Sequence, residues 1–355
     1  MTTIVISVSR LRTYIINTFI HNGVSDGNAS RCANVLLYAD KSGLSSHGIN
    51  NLIPIYVDGI EAGNIDPTAR LFKTKEAGAV TSFDAKSMIG LLAAQDAMTQ
   101  AIKRAAELGA SIVSVSNSTH FGAAGYYSLM AAEAGMIGVA LTNLGAQPIS
   151  HAMGSAVPIV GTNPIGFAAP TASLPHFNLD MSTTVCASGK IAIQRLRGEN
   201  CPEGWLVDST GAAVQEPHRY TEKSAFLQPL GGWLTSTGGH KGFGLGLMVD
   251  VLCGVLSGSD VGVLAQRSTR NSIGHFFLVI DPSFFVGSNN FQETMEQFCT
   301  TVLGTPVFSD YPPLRYPGHQ EHVNAEEADH AGIRLPRSLV AQLNEYAKKS
   351  GLNEL

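Results

Sequence analysis

This sequence is poor in charge of either sign. Only 14% of its 355 residues are Asp, Glu, Lys or Arg, and the formal net charge is −5. No run of like charges is long enough to track a phosphate backbone or an anionic bilayer, so neither a nucleic-acid nor a membrane partner is expected. Cysteine is sparse as well. Cys32, Cys186, Cys201, Cys253 and Cys299 have no CxxC spacing and an odd total, which argues against a zinc cluster or a disulfide framework and fits a reducing compartment. No stretch reaches the roughly eighteen apolar residues of a membrane span. The apolar opening Ile4–Val8 is too short for a signal h-region and has no basic start, so a cytoplasmic location is expected. Two nucleotide signatures are also missing: GxxxxGK[ST], and GxGxxG after the first strand of a βαβ unit.

What is present is 44% hydrophobic sequence, enough for one large domain or two moderate ones. The informative stretch is ASIVSVSNSTHFGAAGYY, residues Ala110–Tyr127. Its short β-branched run reads as a buried strand, and Gly122 and Gly125 bracket the turn into a helix over Tyr126–Ala134. His120 therefore sits in a strand-to-helix connection, where open α/β sheets collect their ligands. The same histidine could serve only to pin its loop.

Upstream, helical spacing runs from Ser9 to Gly23 and again from Ser25 or Asp26 to Lys41. Ser46-His47-Gly48 then opens a third helical pattern closed by Gly63, which puts His47 in or beside a first turn that favours an anion. A hairpin is expected over residues 69–84, a helix from Leu91 to Leu108 and a strand at Ile137–Leu141. This strand-helix alternation predicts a parallel sheet.

Thr142–Pro170 reads as a long irregular loop in which Asn143 and Asn163 offer amides and His151 is a surface residue. A strand at Phe177–Met181 leads to Asp180-Met181-Ser182-Thr183, a polar cluster suited to a ribose or to a helix cap. Gly189–Leu230 is taken as a surface excursion. Gly238–Gly244, with His240 and Lys241, gathers backbone N–H groups before a helix at Leu245–Leu256, which suits a phosphate. A strand at Gly274–Ile280 and helices at Phe291–Leu303 and Pro336–Lys349 complete the pattern. His319 and His322 fall in proline-rich coil and are read as loop rather than metal ligands; no metal is expected.

In order, Ser46-His47-Gly48, NSTHFGAAGYY, VGTNPIGFAAP, LDMST, GGHKGFGLGLMVDVLCGVLSG and IGHFF resemble the malate/L-lactate dehydrogenase family that lacks a Rossmann fold. The resemblance implies an α/β mixed-sheet domain with a non-Rossmann dinucleotide-binding fold, residues 69–304, plus a helical domain built from residues 1–68 and 305–355. It also implies a homodimer that uses NAD or NADP on a small 2-oxo/2-hydroxy acid. On this match His120 and His47 are the catalytic histidines. Asp180, Ser182, Thr183, His240 and Lys241 hold the cofactor, while Ser46 and Asn143 meet the substrate. The family also includes cyclic-imine reductases, and a catalytically silent member binding a dinucleotide or metabolite is a further alternative. Three places differ from the family pattern: Ser45 where an aspartate is usual, Asn50-Asn51 where an arginine grips the substrate carboxylate, and Gly318-His319 where a Gly-Glu pair is usual. With Asn51 in the substrate position, hydrogen bonds rather than charge are expected to meet the carboxylate.

Overall fold

The computed structural model describes residues 3–267 and 272–355. Strand β1 (Thr3–Ile6) leads into helices α1 (Val8–His21) and α2 (Asp26–Lys41), whose apolar stripes bury Leu11, Ile15 and Phe19 against Val35 and Leu36. Ser7, two residues before the expected cap, accepts the Arg10 N–H at the start of α1. The third helical pattern is broken: a 3₁₀ turn at Ile49–Asn51 passes into a π-helical turn at Leu52–Val57 and then α3 (Asp58–Glu61). Pro54 lies inside that segment and has no N–H to give, so the regular α ladder cannot form across it.

The hairpin forms as β2 (Phe72–Ala77) and β3 (Val80–Asp84), turning at Gly78 with φ +53°. Helix α4 (Gly90–Leu108) follows and ends at Gly109, whose φ of +83° closes it. Next come β4 (Ala110–Ser118), α5 (Ala124–Glu133) and β5 (Ile137–Thr142). The stretch expected as irregular loop instead holds β6 (Ser150–His151), β7 (Pro158–Val160) and β8 (Ile165–Ala169). Glycine and proline mark its turns, but the short runs between them pair: β6 with β7, and β8 with β5 and β9. Strand β9 (Phe177–Met181) closes this part of the chain.

The region read as a surface excursion also has its own core. Helix α6 (Ser188–Arg197), β10 (Leu206–Val207), β11 (Ala213–Val214), α7 (Pro217–Thr221) and β12 (Phe226–Leu227) bury Ile191, Cys201, Leu206, Val214 and Leu227 together. His151, expected at the surface, is fully buried there, with its ring 4.5 Å from that of Phe226. Helix α8 (Gly239–Asp250) begins inside the glycine-rich stretch rather than after it, and continues as a π turn at Val251–Val255. The chain ends with β13 (Ile273–Ile280), α9 (Ser288–Leu303), α10 (His319–Ala331), β14 (Ile333–Pro336) and α11 (Arg337–Ser350). His319 and His322 thus open a helix rather than a loop, capped where Glu321 accepts the Gly318 N–H at 3.2 Å.

The main sheet runs β2-β3-β4-β13-β5-β8-β9, and a smaller one runs β11-β10-β12-β6-β7. The main sheet is mixed, not parallel. Strands β3 and β4 pair parallel, but β13 inserts antiparallel between β4 and β5 and takes the place a crossover strand would have held. Its sequence IGHFFLVI is buried along nearly its whole length, as a central strand covered on both faces must be. Helices α4 and α5 pack against this sheet. The two ends of the chain meet where β1 pairs with β14.

Candidate active site

His120 follows the end of β4 and is held from two sides. The backbone N–H of Gly122 donates to its Nδ1 at 3.2 Å, and the Tyr56 hydroxyl lies 3.0 Å from the same atom. A backbone N–H can only donate, so Nδ1 is the acceptor and the proton of the neutral ring resides on Nε2. Burial raises the Tyr56 phenol well above its ordinary range, which keeps its proton available to that nitrogen. The π turn at Leu52–Val57 is what brings Tyr56 round to the histidine; such turns recur at functional sites.

His47 stacks on His120 with ring centroids 6.0 Å apart and an interplanar angle of 15°. Its Nδ1 lies 2.9 Å from the Ser46 hydroxyl. Burial, with the Lys190 ammonium adding to it, lowers the His47 pKa to about 4. Burial, then His47 and His275, lower that of His120 to about 3. Both rings are therefore neutral at pH 7 in the unliganded protein.

The corner carrying His47 is clamped by α2. Asp40 accepts the Ile49 N–H at 2.8 Å, and burial lifts its carboxyl to about 7 against the pull of that bond. Gly48 lies so close that an added Cβ would overlap the Asp40 carboxylate. Asn51, 7% exposed, donates to the Ser46 carbonyl at 3.0 Å, which ties its amide to the corner. On the far side α6 approaches. A Cβ on Gly189 would sit 2.6 Å from the Ser46 Cβ and 2.7 Å from its carbonyl oxygen. This contact brings Lys190 beside His47.

Other sequence-nominated residues lie elsewhere. The Asn143 amide is fully engaged: Nδ2 donates to Asp250 Oδ1 at 3.2 Å and to the Asp260 carbonyl at 2.7 Å, and Oδ1 accepts the Gly274 N–H at 3.1 Å. It is joined to the histidines only indirectly. Thr142 Oγ1 lies 2.8 Å from His275 Nδ1, His275 stacks on Phe121 at 4.9 Å, and Phe121 follows His120. Asn163 is buried, donating to the Gly246 carbonyl at 2.8 Å.

Asp180 accepts the Gly125 N–H at 2.8 Å in the first turn of α5, and burial, opposed by that bond, raises its carboxyl to about 6. The Ser182 hydroxyl donates to the Thr184 carbonyl and that of Thr183 to the Thr162 carbonyl, while Leu230 N–H donates to the Thr183 carbonyl. Thr183 also packs against Gly246 of α8. Residues 180–190 thus run from the start of α5, past α8, to His47.

At the start of α8, His240 and Lys241 are exposed, and Lys241 has no carboxylate partner among the described residues. A Cβ on Gly239 would overlap the Gly232 carbonyl, and one on Gly242 would overlap that of Leu230. These glycines let the first turn of α8 pack on the backbone of residues 230–232, where the Gly239 N–H already donates to the Leu234 carbonyl at 3.1 Å and the Lys241 N–H to that of Gly238 at 2.8 Å; the free Lys241 ammonium at this helix start suits a phosphate-bearing cofactor. Among the described residues no group of three or more His, Cys, Asp or Glu could hold a metal ion.

Comparison with known proteins now decides the family. Residues 6–344 match the malate/L-lactate dehydrogenase family. The chain belongs to this family. It is 35% identical over 348 residues to a malate dehydrogenase of Pyrococcus horikoshii, covering 98% of this chain and 95% of that one. It is 32% identical over 337 residues to the NAD(+)-named ureidoglycolate dehydrogenase of Escherichia coli O157:H7, covering 93% and 92%; another relative's name carries NADP(+). The crystal structure of a malate dehydrogenase from Entamoeba histolytica superposes with a TM-score of 0.94 at 27% identity, covering 99% of both chains. The chain is a dehydrogenase of this family, and the relatives whose names state a cofactor carry NAD(+) or NADP(+).

Tyr56, Asp40 and Lys190 were missed from sequence. The phenol sat in an apolar stripe, Asp40 at the end of an ordinary amphipathic helix and Lys190 in a region read as surface. Only Pro54, which breaks the third helical pattern, was a signal that the Tyr56 turn is special.

Proposed function

We propose that this chain moves a hydride between the nicotinamide of NAD or NADP and carbon 2 of a small 2-oxo/2-hydroxy acid, with the His120–His47 pair handling the proton at the substrate oxygen. The observation that carries this reading is the doubly held Nδ1 of His120, which aligns one neutral imidazole against a second at the end of β4. The cofactor supplies the hydride when bound. The chain's part is to orient the oxygen and manage its proton.

In reduction, His120 presents Nε2–H to the carbonyl oxygen as negative charge builds there. Bringing an anionic substrate beside two buried neutral rings favours their charged form, so a proton enters the pair as substrate binds. His120 gives that proton to the new hydroxyl, and takes it back in oxidation. The Tyr56 hydroxyl can accept as well as donate, so it can receive Nδ1–H when His120 is doubly protonated. Tyr56 is a positioning residue. Tyr56→Phe leaves the imidazolium with no acceptor and lowers its pKa in the ternary complex. The rate of reduction, which needs the protonated ring, then begins to fall at a lower pH than in the native protein. A drop in kcat on the order of 10-fold near neutrality is expected, and a kcat–pH profile checks it; an unshifted profile counts against the role.

Lys241, at the first turn of α8, holds a cofactor phosphate, and Asp180, Ser182, Thr183 and His240 shape the path beside it. Lys241→Ala is expected to raise the cofactor Kd roughly tenfold or more, with a smaller change in kcat. Fluorescence titration of NADH and NADPH measures it, and an unchanged Kd would place the phosphate elsewhere.

The outward face of α8 and the turn after it, with Val251 54%, Val255 64% and Leu256 59% exposed, supports a homodimer, which equilibrium sedimentation reads directly. Five free, buried cysteines support a reducing, cytoplasmic setting. The reaction itself is tested by steady-state assay of NADH and NADPH against pyruvate, oxaloacetate, other 2-oxo acids and a cyclic imine. Turnover with the imine alone, or with nothing, overturns the reading.

A further inference from the structure

We propose that the Lys190 ammonium receives the substrate carboxylate, taking the part that an arginine after Ser46-His47-Gly48 would otherwise play. This rests on the hydride-transfer reading above. In a 2-oxo acid the carboxylate carbon is bonded directly to the reacting carbon, so a group that meets the carboxylate must lie beside whatever meets the carbonyl oxygen. Here that place is beside His47 and His120.

The residue in the arginine position brings no charge. Asn51 is buried and neutral, and one N–H of its amide is donated to the Ser46 carbonyl. The cations on α1 and α2 are committed elsewhere: Lys41 pairs with Asp329 at 2.6 Å, Arg31 pairs with Asp96, and Arg12 donates to Asn34 and Ser30; Arg197 and Arg334 line a cavity on the Ser45–Asn50 side of the corner. Lys190 is different on each count. It is exposed, and it has no carboxylate partner among the described residues. The contact of Gly189 on Ser46, with no room for a side chain, seats the first turn of α6 directly on the histidine corner.

The consequence is electrostatic as well as geometric. In the unliganded protein the Lys190 charge adds to burial in keeping His47 neutral. A substrate carboxylate at Lys190 cancels that charge, so substrate binding and proton uptake by the histidine pair become one coupled event. A neutral substrate analogue would lack the trigger.

The test compares the native holoenzyme with Lys190→Met and Lys190→Arg. Two quantities are read: the ratio of kcat/KM for pyruvate over that for pyruvamide, and the Kd of oxamate in the presence of NADH by calorimetry. Lys190→Met is expected to lower the ratio by roughly 30-fold or more and to weaken oxamate by a similar factor, since a charge-assisted contact is lost. Lys190→Arg should restore most of both. A merely structural role would lower activity on acid and amide together and leave the ratio unmoved, which overturns the proposal. If the native protein reduces no 2-oxo acid yet binds oxamate in a Lys190-dependent way, the carboxylate site stands and the hydride-transfer reading falls. If it binds no oxamate, or binds it equally in all three proteins, the proposal is wrong.

Discussion

His120→Gln is expected to lower turnover by a factor on the order of 10²–10⁴, the usual worth of a positioned acid-base group, while the protein still folds and binds cofactor within about twofold of native. The reasoning runs from geometry. The ring lies between Tyr56 and His47 at the end of β4, at the edge of the main core and away from the start of α8. A glutamine can keep a hydrogen bond to the Gly122 N–H, so the loop stays in place, but it cannot carry a proton at neutral pH. Thermal unfolding should shift little, because the change also removes a buried imidazole. Rapid-mixing measurement of NADH oxidation with excess 2-oxo acid separates the chemical step from product release. Native turnover in a folded variant would remove His120 from the chemistry.

Gly90→Ala should be a strongly damaging substitution that acts through the His120 loop. Gly90 opens α4 and packs on the backbone of the His120 loop: a Cβ there would overlap the Thr119 and His120 carbonyl oxygens and lie 2.6 Å from the His120 carbonyl carbon. The Gly90 N–H also donates to Thr119 Oγ1 at 2.8 Å, which in turn donates to the Met88 carbonyl at 3.0 Å, so helix start and loop form one hydrogen-bonded unit. Backbone atoms on both sides cannot swing aside as a flexible side chain would. The helix must shift or the loop must move, at a cost of about 3 kcal/mol. A fall in Tm of roughly 4 °C is expected, together with a loss of kcat that exceeds the loss of cofactor affinity. Calorimetry and the same transient assay check both. An unchanged Tm would mean that the junction is looser than these contacts imply.

The amino-acid sequence alone determined the elements whose signal is local. The β-branched run of β4, the helical stripes of α1, α2 and α4, the turn at Gly78 and the solid apolar β13 all follow from periodicity and from where glycine is placed, because those features depend on neighbours a few residues apart. It also nominated His47, His120 and the glycine-rich start of α8, since a histidine after a strand and clustered glycines before a helix are visible in one dimension. Sequence could not place β13 between β4 and β5, because that pairing joins segments more than a hundred residues apart and no local pattern encodes the partner; the strands within residues 142–170 were hidden by their shortness and by the glycines and prolines between them.

Tertiary structure alone decided what surrounds the histidines. Tyr56 reaches His120 across 64 residues of sequence through a π turn, and Lys190 reaches His47 because Gly189 lets α6 sit on Ser46. It also turned Asn51 and Asn143 inward, where burial obliges their amides to satisfy backbone groups. Residue type announces what a side chain can do; only packing fixes which partner it meets, and whether a buried group stays neutral or charged depends on that partner.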